Sequence, residues 1–222
     1  MSLPNRFEDT YLDFTENVFK SNKSSIISKV STKPLKSGGA SFKTNVLVEK
    51  SSSKYVYKPS IGAALFSFIF LAVGLGVLFY GLFPLFKSNY ETTSINWFLL
   101  VFGLIFSSAG GVLFFNFYKP RVFDKQLGVY YKAYNVDIHK IRKDTSNKYI
   151  ILKSIVALQI IGEHVKSDKG SYKSFELNLV LEDASRKNVV DHGNLKSIID
   201  DAHVLSQFLN VPIWHAKSND DQ

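Results

Sequence analysis

Hydrophobic residues are not spread evenly along the chain. From Ile61 to Phe86 no residue is charged (IGAALFSFIFLAVGLGVLFYGLFPLF), and none is charged from Ile95 to Tyr118 (INWFLLVFGLIFSSAGGVLFFNFY). The runs are 26 and 24 residues long, and about 20 apolar residues suffice for a helix to cross the hydrocarbon core of a bilayer. Two such runs are hard to bury inside so small a soluble protein. They predict two transmembrane helices, residues 60–86 and 95–118, joined through 87–94 into an α-hairpin.

Outside these runs the period changes. Phe7, Tyr11, Phe14 and Val18 recur at helical spacing with Leu12 and Phe19 alongside, and Asn5 with Glu8 suits an N-terminal cap. Residues 5–19 thus predict a short amphipathic helix. Its polar face is acidic, which points to docking on protein rather than on a membrane surface. The Ser/Lys-rich stretch 20–41, with Pro34 and Gly38–Gly39, reads as a flexible linker. FKTNVLVEK and KYVYKP, parted by Ser51–Ser53, predict a β-hairpin over 42–59 that leads into the first span.

After the second span, Gly128 marks a turn between two strand-like pieces, and 135–148 reads as a polar loop. KYIILKSIVALQIIGE is rich in β-branched residues and predicts a strand. In SYKSFELNLVLED, Phe175, Leu177, Leu179 and Leu181 alternate inward against Glu176 and Asn178 outward. A turn at Asp183–Ser185 precedes a last short strand, RKNVVDHG. Leu195, Ile198, Ile199, Ala202, Leu205, Phe208 and Leu209 then form a helical stripe, with Asp191 or Asn194 as cap and Pro212 as stop. The predicted fold is a membrane α-hairpin plus an α+β soluble domain over 119–216. That domain is an antiparallel β-sheet or barrel closed by one C-terminal helix, the plan of a pleckstrin-homology (PH)-like domain. The 42–59 hairpin is a candidate to complete its sheet, and 217–222 is expected to be a disordered tail.

Charge adds orientation. Ten of the 27 Lys and Arg residues lie in 1–59, one in 87–94 and sixteen in 119–222. Lys43, Lys50, Lys54 and Lys58 precede the first span; Lys119, Arg121, Lys125 and Lys132 follow the second. Cytoplasmic flanks carry the Lys/Arg excess, so both termini are expected in the cytoplasm and 87–94 outside, in a multi-pass protein of the cytoplasmic (inner) membrane. Tyr90, Trp97 and Tyr118 fall where interfacial aromatics belong. The net charge of +8 is thereby read as a topology signal and an attraction to anionic headgroups, not as a nucleic-acid footprint. The N-terminus is acidic and lacks a continuous apolar core, so no cleavable signal peptide is expected. With no cysteine, disulfides, Cys-based zinc sites and thiol catalysis are excluded.

Small residues recur in the spans: Ala72 and Gly76 in the first, Gly103, Ser107 and Gly111 in the second. Four-residue spacing lets helices approach closely, within the hairpin or between copies in a homo-oligomer. Neither span holds an Asp, Glu, Lys, Arg or His, which argues against a self-sufficient transporter. Lys140, Arg142, Lys143 and Lys148 cluster in one loop and are candidates for contact with anionic lipid headgroups. Asp191 beside His192, with Asp200 and His203 on the following helix, is most simply a helix cap with solvated neighbours; a metal or acid–base site there needs converging ligands. GGASFKT lacks the glycine that must precede the lysine of a phosphate loop. No catalytic residue, metal site or cofactor is expected.

The membrane hairpin followed by VFDKQLGVYYK, LKSIVALQII and DAHVLSQFLNVPIW resembles bacterial integral-membrane proteins with a PH-like cytoplasmic domain. It is also distantly similar to the two-span photosystem I assembly factor family, through Phe123, Asp124 and Gly128 after the hairpin and Phe208, Leu209, Val211 and Pro212 at the terminal helix. The resemblance covers roughly 55–214 and implies a scaffold or assembly role rather than catalysis. The long N-terminal extension departs from the assembly-factor pattern. The expected function is a non-enzymatic, membrane-anchored interaction or assembly module, its partners the bilayer and a protein or a second copy. The alternative is an oligomeric channel, transporter or secretion-system subunit.

Overall fold

A computed structural model describes residues 24–35, 37–86, 95–136, 148–167 and 170–216. The helix expected at 5–19, the 87–94 link, the tail and most of the 135–148 loop lie outside the described residues. In chain order the elements are α1 (Ser24–Ile27), β1 (Asn45–Ser51), β2 (Lys54–Pro59), α2 (Ile61–Leu82), α3 (Trp97–Tyr118), β3 (Arg121–Asp124), β4 (Val129–Lys132), β5 (Tyr149–Ile151), β6 (Ile155–Ser167), β7 (Gly170–Leu181), β8 (Arg186–His192), α4 (Leu195–Leu209) and β9 (Ile213–Ala216). They form two compact units. One holds 44–122 and 132–138; the other holds 1–43, 123–131 and 139–222.

In the first unit β1 and β2 pair antiparallel, Asn45 opposite Pro59 and Val48 opposite Val56. Ser60 then starts α2, its side chain accepting the Ala63 N–H at 3.1 Å. The helix ends in a 3₁₀ turn, Phe83–Phe86, at Pro84, whose ring cannot continue it. Asn96 caps α3 through the Leu99 N–H. The Phe115 carbonyl, one of the last four of α3 and so without a partner in the helix, accepts the Tyr134 hydroxyl at 2.7 Å. Asn45, 1% exposed, joins the polar ends of this unit. Its amide donates to the Lys58 carbonyl, and its Oδ1 accepts Arg121 at 2.9 Å and the Thr44 hydroxyl at 3.1 Å.

In the second unit β6, β7 and β8 form an antiparallel meander, with Leu158 opposite Leu179 and Leu177 opposite Val190. Asn194 caps α4 by accepting the Ser197 N–H at 2.9 Å. Ile198, Ala202, Leu205 and Phe208 are buried as α4 packs on the meander. Asn210 ends the helix in the left-handed conformation, φ 56°, a region Asn tolerates better than most residues. The turn expected after Asp124 is present. The Asp124 carboxylate accepts the N–H groups of Gln126 and Leu127, and Gly128 takes φ 71°.

Four expectations change. The stretch 148–163 is not one strand: a 3₁₀ turn at Leu152–Ser154, where the Ser154 hydroxyl donates to the Ile151 carbonyl, breaks it. Its halves enter different sheets, β5 beside β4 and β6 beside β7. Second, the helix is not last, because Pro212 hands the chain to β9, which pairs parallel with β6. Third, the strands run in the orders β1-β2-β3-β4-β5 and β8-β7-β6-β9, and among the described residues neither sheet closes into a barrel. Fourth, the described part of the expected flexible linker is held on the meander as a strap, detailed below.

Replacing the fully buried Leu205 by alanine is expected to cost about 2–5 kcal/mol. Val204→Ala, one residue away and exposed, should cost less than about 0.5 kcal/mol. Guanidinium unfolding followed by Trp214 fluorescence in a Trp97→Phe background measures both, and equal losses would contradict the seating of α4.

Candidate functional site

Two features carry interaction chemistry. The first is the pair α2–α3. Gly74 lies against the backbone of Phe106 and Ser107, and Gly110 against that of Phe70 and Leu71; neither position has room for a Cβ. A Cβ on Gly103 would meet the Leu78 backbone N at 2.8 Å, and one on Gly81 the Leu100 side chain at 2.9 Å. Phe70 and Phe106 stack between them, centroids 5.6 Å apart. Of the residues expected to pack the spans, Gly103 and Ser107 lie at this contact. Ala72 and Gly76 are exposed, and Gly76 and Gly111 look into open space. The close approach runs through Ser67, Gly74 and Gly81 on one helix and Gly103 and Gly110 on the other. That is a seven-residue recurrence, the period of a left-handed helix pair. A search at four-residue spacing passes over it.

The outer surface of this pair is apolar. Phe66, Phe68, Val73, Phe79, Leu104, Ile105 and Phe115 are all about half exposed or more. Only 17% and 11% of the most apolar stretches of the two helices is buried.

The second feature is the sheet face opposite α4. By strand alternation Leu177 and Leu179 of β7 point to the helix side, and Ser174, Glu176 and Asn178 point away. Glu176 and Asn178 were expected in solvent, yet they are 2% and 0% exposed, and Ser174 beside them is 2% exposed. Residues 26–35 and 37–43 cover them. Val30 enters a core cluster with Val156, Ala157 and Val180. Gln159 donates to the Ser31 carbonyl at 3.1 Å, and Arg186 to the Lys33 carbonyl at 2.9 Å. The Glu176 carboxylate accepts the Leu35 N–H at 3.0 Å, and Glu163 the Gly38 N–H at 3.2 Å. Tyr172 donates to the Gly39 carbonyl at 2.9 Å, and the Gly193 N–H reaches the Phe42 carbonyl. Below the strap Asn178 donates to Glu176, Arg186 to Gln159, and Asn188 to both Asn178 and Asp191. Burial draws the Arg186 guanidinium below its ordinary pKa, opposed by the charge of Glu176. Buried polar groups cost free energy unless paired, and the strap's backbone supplies pairs.

The remaining candidates do not converge. Asp200 and His203 are exposed on α4. The residue facing buried His192 is instead Asp201, Nε2 to Oδ2 3.8 Å, which the three-residue spacing of Asp200 and His203 did not indicate. Among the described residues no three His, Asp or Glu side chains are placed to hold a metal. Of the basic loop only Lys148 is described, exposed, its ammonium 5.7 Å from the Tyr149 ring centroid; Lys140, Arg142 and Lys143 lie outside the described residues.

The chain matches no family model, no curated protein and no solved structure. The site is therefore read from its own chemistry.

Gly110→Leu is expected to separate α2 from α3 and cost about 1–3 kcal/mol through overpacking. Gly111→Leu, into open space, should change stability by less than about 0.5 kcal/mol. Thermal unfolding in mild detergent distinguishes them, and equal effects would contradict the assigned contact.

Proposed function

We propose that the chain is a multi-pass protein of the cytoplasmic membrane, its two apolar helices spanning the bilayer and both termini in the cytoplasm. One observation carries this reading. Two helices of 26 and 22 residues, counting the 3₁₀ extension of the first, leave most of their apolar surface uncovered by protein. A core helix of a soluble protein buries such surface. The flanking lysines supply the orientation.

The rest of the chain we read as a non-enzymatic interaction or assembly module. The antiparallel meander followed by α4 supports a PH-like relationship, and β9 is an addition to that plan. The residues that resemble the bacterial membrane proteins and, distantly, the photosystem I assembly factors support the same scaffold role. Lys148, with Lys140, Arg142 and Lys143, is the proposed contact for anionic headgroups. A second reading, an oligomeric channel, transporter or secretion-system subunit, is favoured by Ala72, Gly76 and Gly111, small residues on surfaces that the hairpin's own helices leave open.

A reporter active only outside the cytoplasm should be silent when fused after Gln222 and active when inserted between Ser88 and Ser94. The reverse pattern would overturn the orientation, and activity at neither site would overturn the hairpin. Purification in mild detergent should recover a stoichiometric protein partner, whereas a fixed number of self-copies alone would favour the second reading.

A further inference from the structure

The strap and the sheet face beneath it interact in an unusual way for two parts of one core. The recognised groups on the strap are mainly backbone: the carbonyls of Ser31, Lys33 and Gly39 and the N–H groups of Leu35 and Gly38. The recognising groups on the sheet are side chains: Gln159, Arg186, Tyr172, Glu176 and Glu163. Such contacts read the course of the strap's backbone more than its side chains. Some strap positions are constrained by more than hydrogen bonds. Val30 fills the apolar cluster with Ile26 packed against it, Gly38 takes φ 75°, and Gly39 leaves no room for a Cβ beside the Ser174 hydroxyl.

The strap is fastened more by hydrogen bonds than by apolar burial. Ile27, Leu35 and Phe42 stay outside, 45%, 41% and 42% exposed, while Val30 and Ile26 pack on the sheet. On the opposite face, by contrast, α4 buries Ile198, Ala202, Leu205 and Phe208. Apolar burial is the main force holding protein parts together, and α4 has more of it than the strap, whose hydrogen bonds another chain could supply equally well. The polar face cannot stand bare and dry, because its buried amides and charges need partners. It suits a segment that follows the strap's course and presents backbone groups at the same positions.

We propose that this face of β6, β7 and β8 is a peptide-binding site, filled here by the chain's own residues 26–43. Its partner is a segment of another protein with apolar residues at the Ile26 and Val30 positions and glycine at the Gly38 and Gly39 positions. The proposal deepens the interaction-module reading. Peptide binding tests this face alone, and partner co-purification tests that reading, so either can fail without the other. A tethered strap competes at an effective concentration on the order of millimolar, so the intact chain holds a free peptide weakly, and releasing the strap unmasks the site.

The probe is a fluorescent peptide of residues 26–43, IISKVSTKPLKSGGASFK, titrated into the full-length protein in detergent. Val30→Asp with Gly39→Val alters only the strap and is expected to raise affinity at least tenfold. Adding Arg186→Ala and Glu176→Gln should abolish that gain, and a peptide carrying Gly39→Val should bind at least tenfold more weakly. A second arm needs no destabilising change. The chain has no cysteine, so a spin label at Leu35→Cys reports the strap directly, and excess unlabelled peptide should mobilise it. A folded strap variant that binds no tighter than the parent, a Gly39→Val peptide that binds equally well, or a label that does not respond to millimolar peptide would each overturn the proposal.

Discussion

Uncovered apolar surface on α2 and α3 is the constraint on which the rest of the first unit depends. A helix pair that places so many Phe, Leu and Ile side chains outward needs a solvent other than water. In hydrocarbon every backbone polar group must be satisfied within the protein, and the pair meets this demand. Its backbone is helical, and the hydroxyls of Ser67 and Ser107 turn back onto the Ala64 and Leu104 carbonyls. Polar demands gather at the ends, where Ser60, Asn96 and Tyr134 satisfy terminal groups and Asn45 ties Lys58 to Arg121. Glycine does the remaining work, since backbones that touch at Gly74 and Gly110 gain packing that lipid cannot supply.

The second unit solves the opposite problem. Its meander has one apolar face, which α4 closes by ordinary hydrophobic burial. Its other face is built of Gln, Asn, Glu and Arg and is closed by the backbone of a strap. A hydrogen bond to a charged group contributes about 1.5–3 kcal/mol, against a desolvation penalty of similar size when the group is left unpaired. The strap therefore matters most through what would happen without it. That asymmetry gives the sheet one face closed by apolar packing and one closed by hydrogen bonds to backbone.

Much of this was legible in the residues. Charge-free runs located α2 and α3 to within a few positions, and the stripe from Ile198 to Phe208, with Asn194 as one of two cap candidates, marked α4 directly. Asp124 with Gly128 and Asp183 with Ser185 marked turns through their side-chain hydrogen bonds. What stayed hidden is non-local. Ser154 breaks a strand that looked continuous, because its two halves are claimed by different sheets. Glu176 and Asn178 alternate like a solvent face and are buried only because a Ser/Lys-rich segment more than 130 residues away lies over them. Composition reads that segment as a linker, since its backbone rather than its side chains is recognised. The glycine contact escaped because its period is seven, and Gly76 and Gly111 offered a plausible four-residue alternative on another surface.

The most direct test of the central claim places single nitroxides at exposed positions of α2, Phe66, Val73 and Tyr80, in protein reconstituted into vesicles. Accessibility to oxygen and to a water-soluble nickel chelate then reports depth. A bilayer-spanning helix predicts the highest oxygen-to-nickel ratio at Val73, falling toward Phe66 and Tyr80. Free access of the nickel chelate at Val73 would place the helix in water and contradict the account.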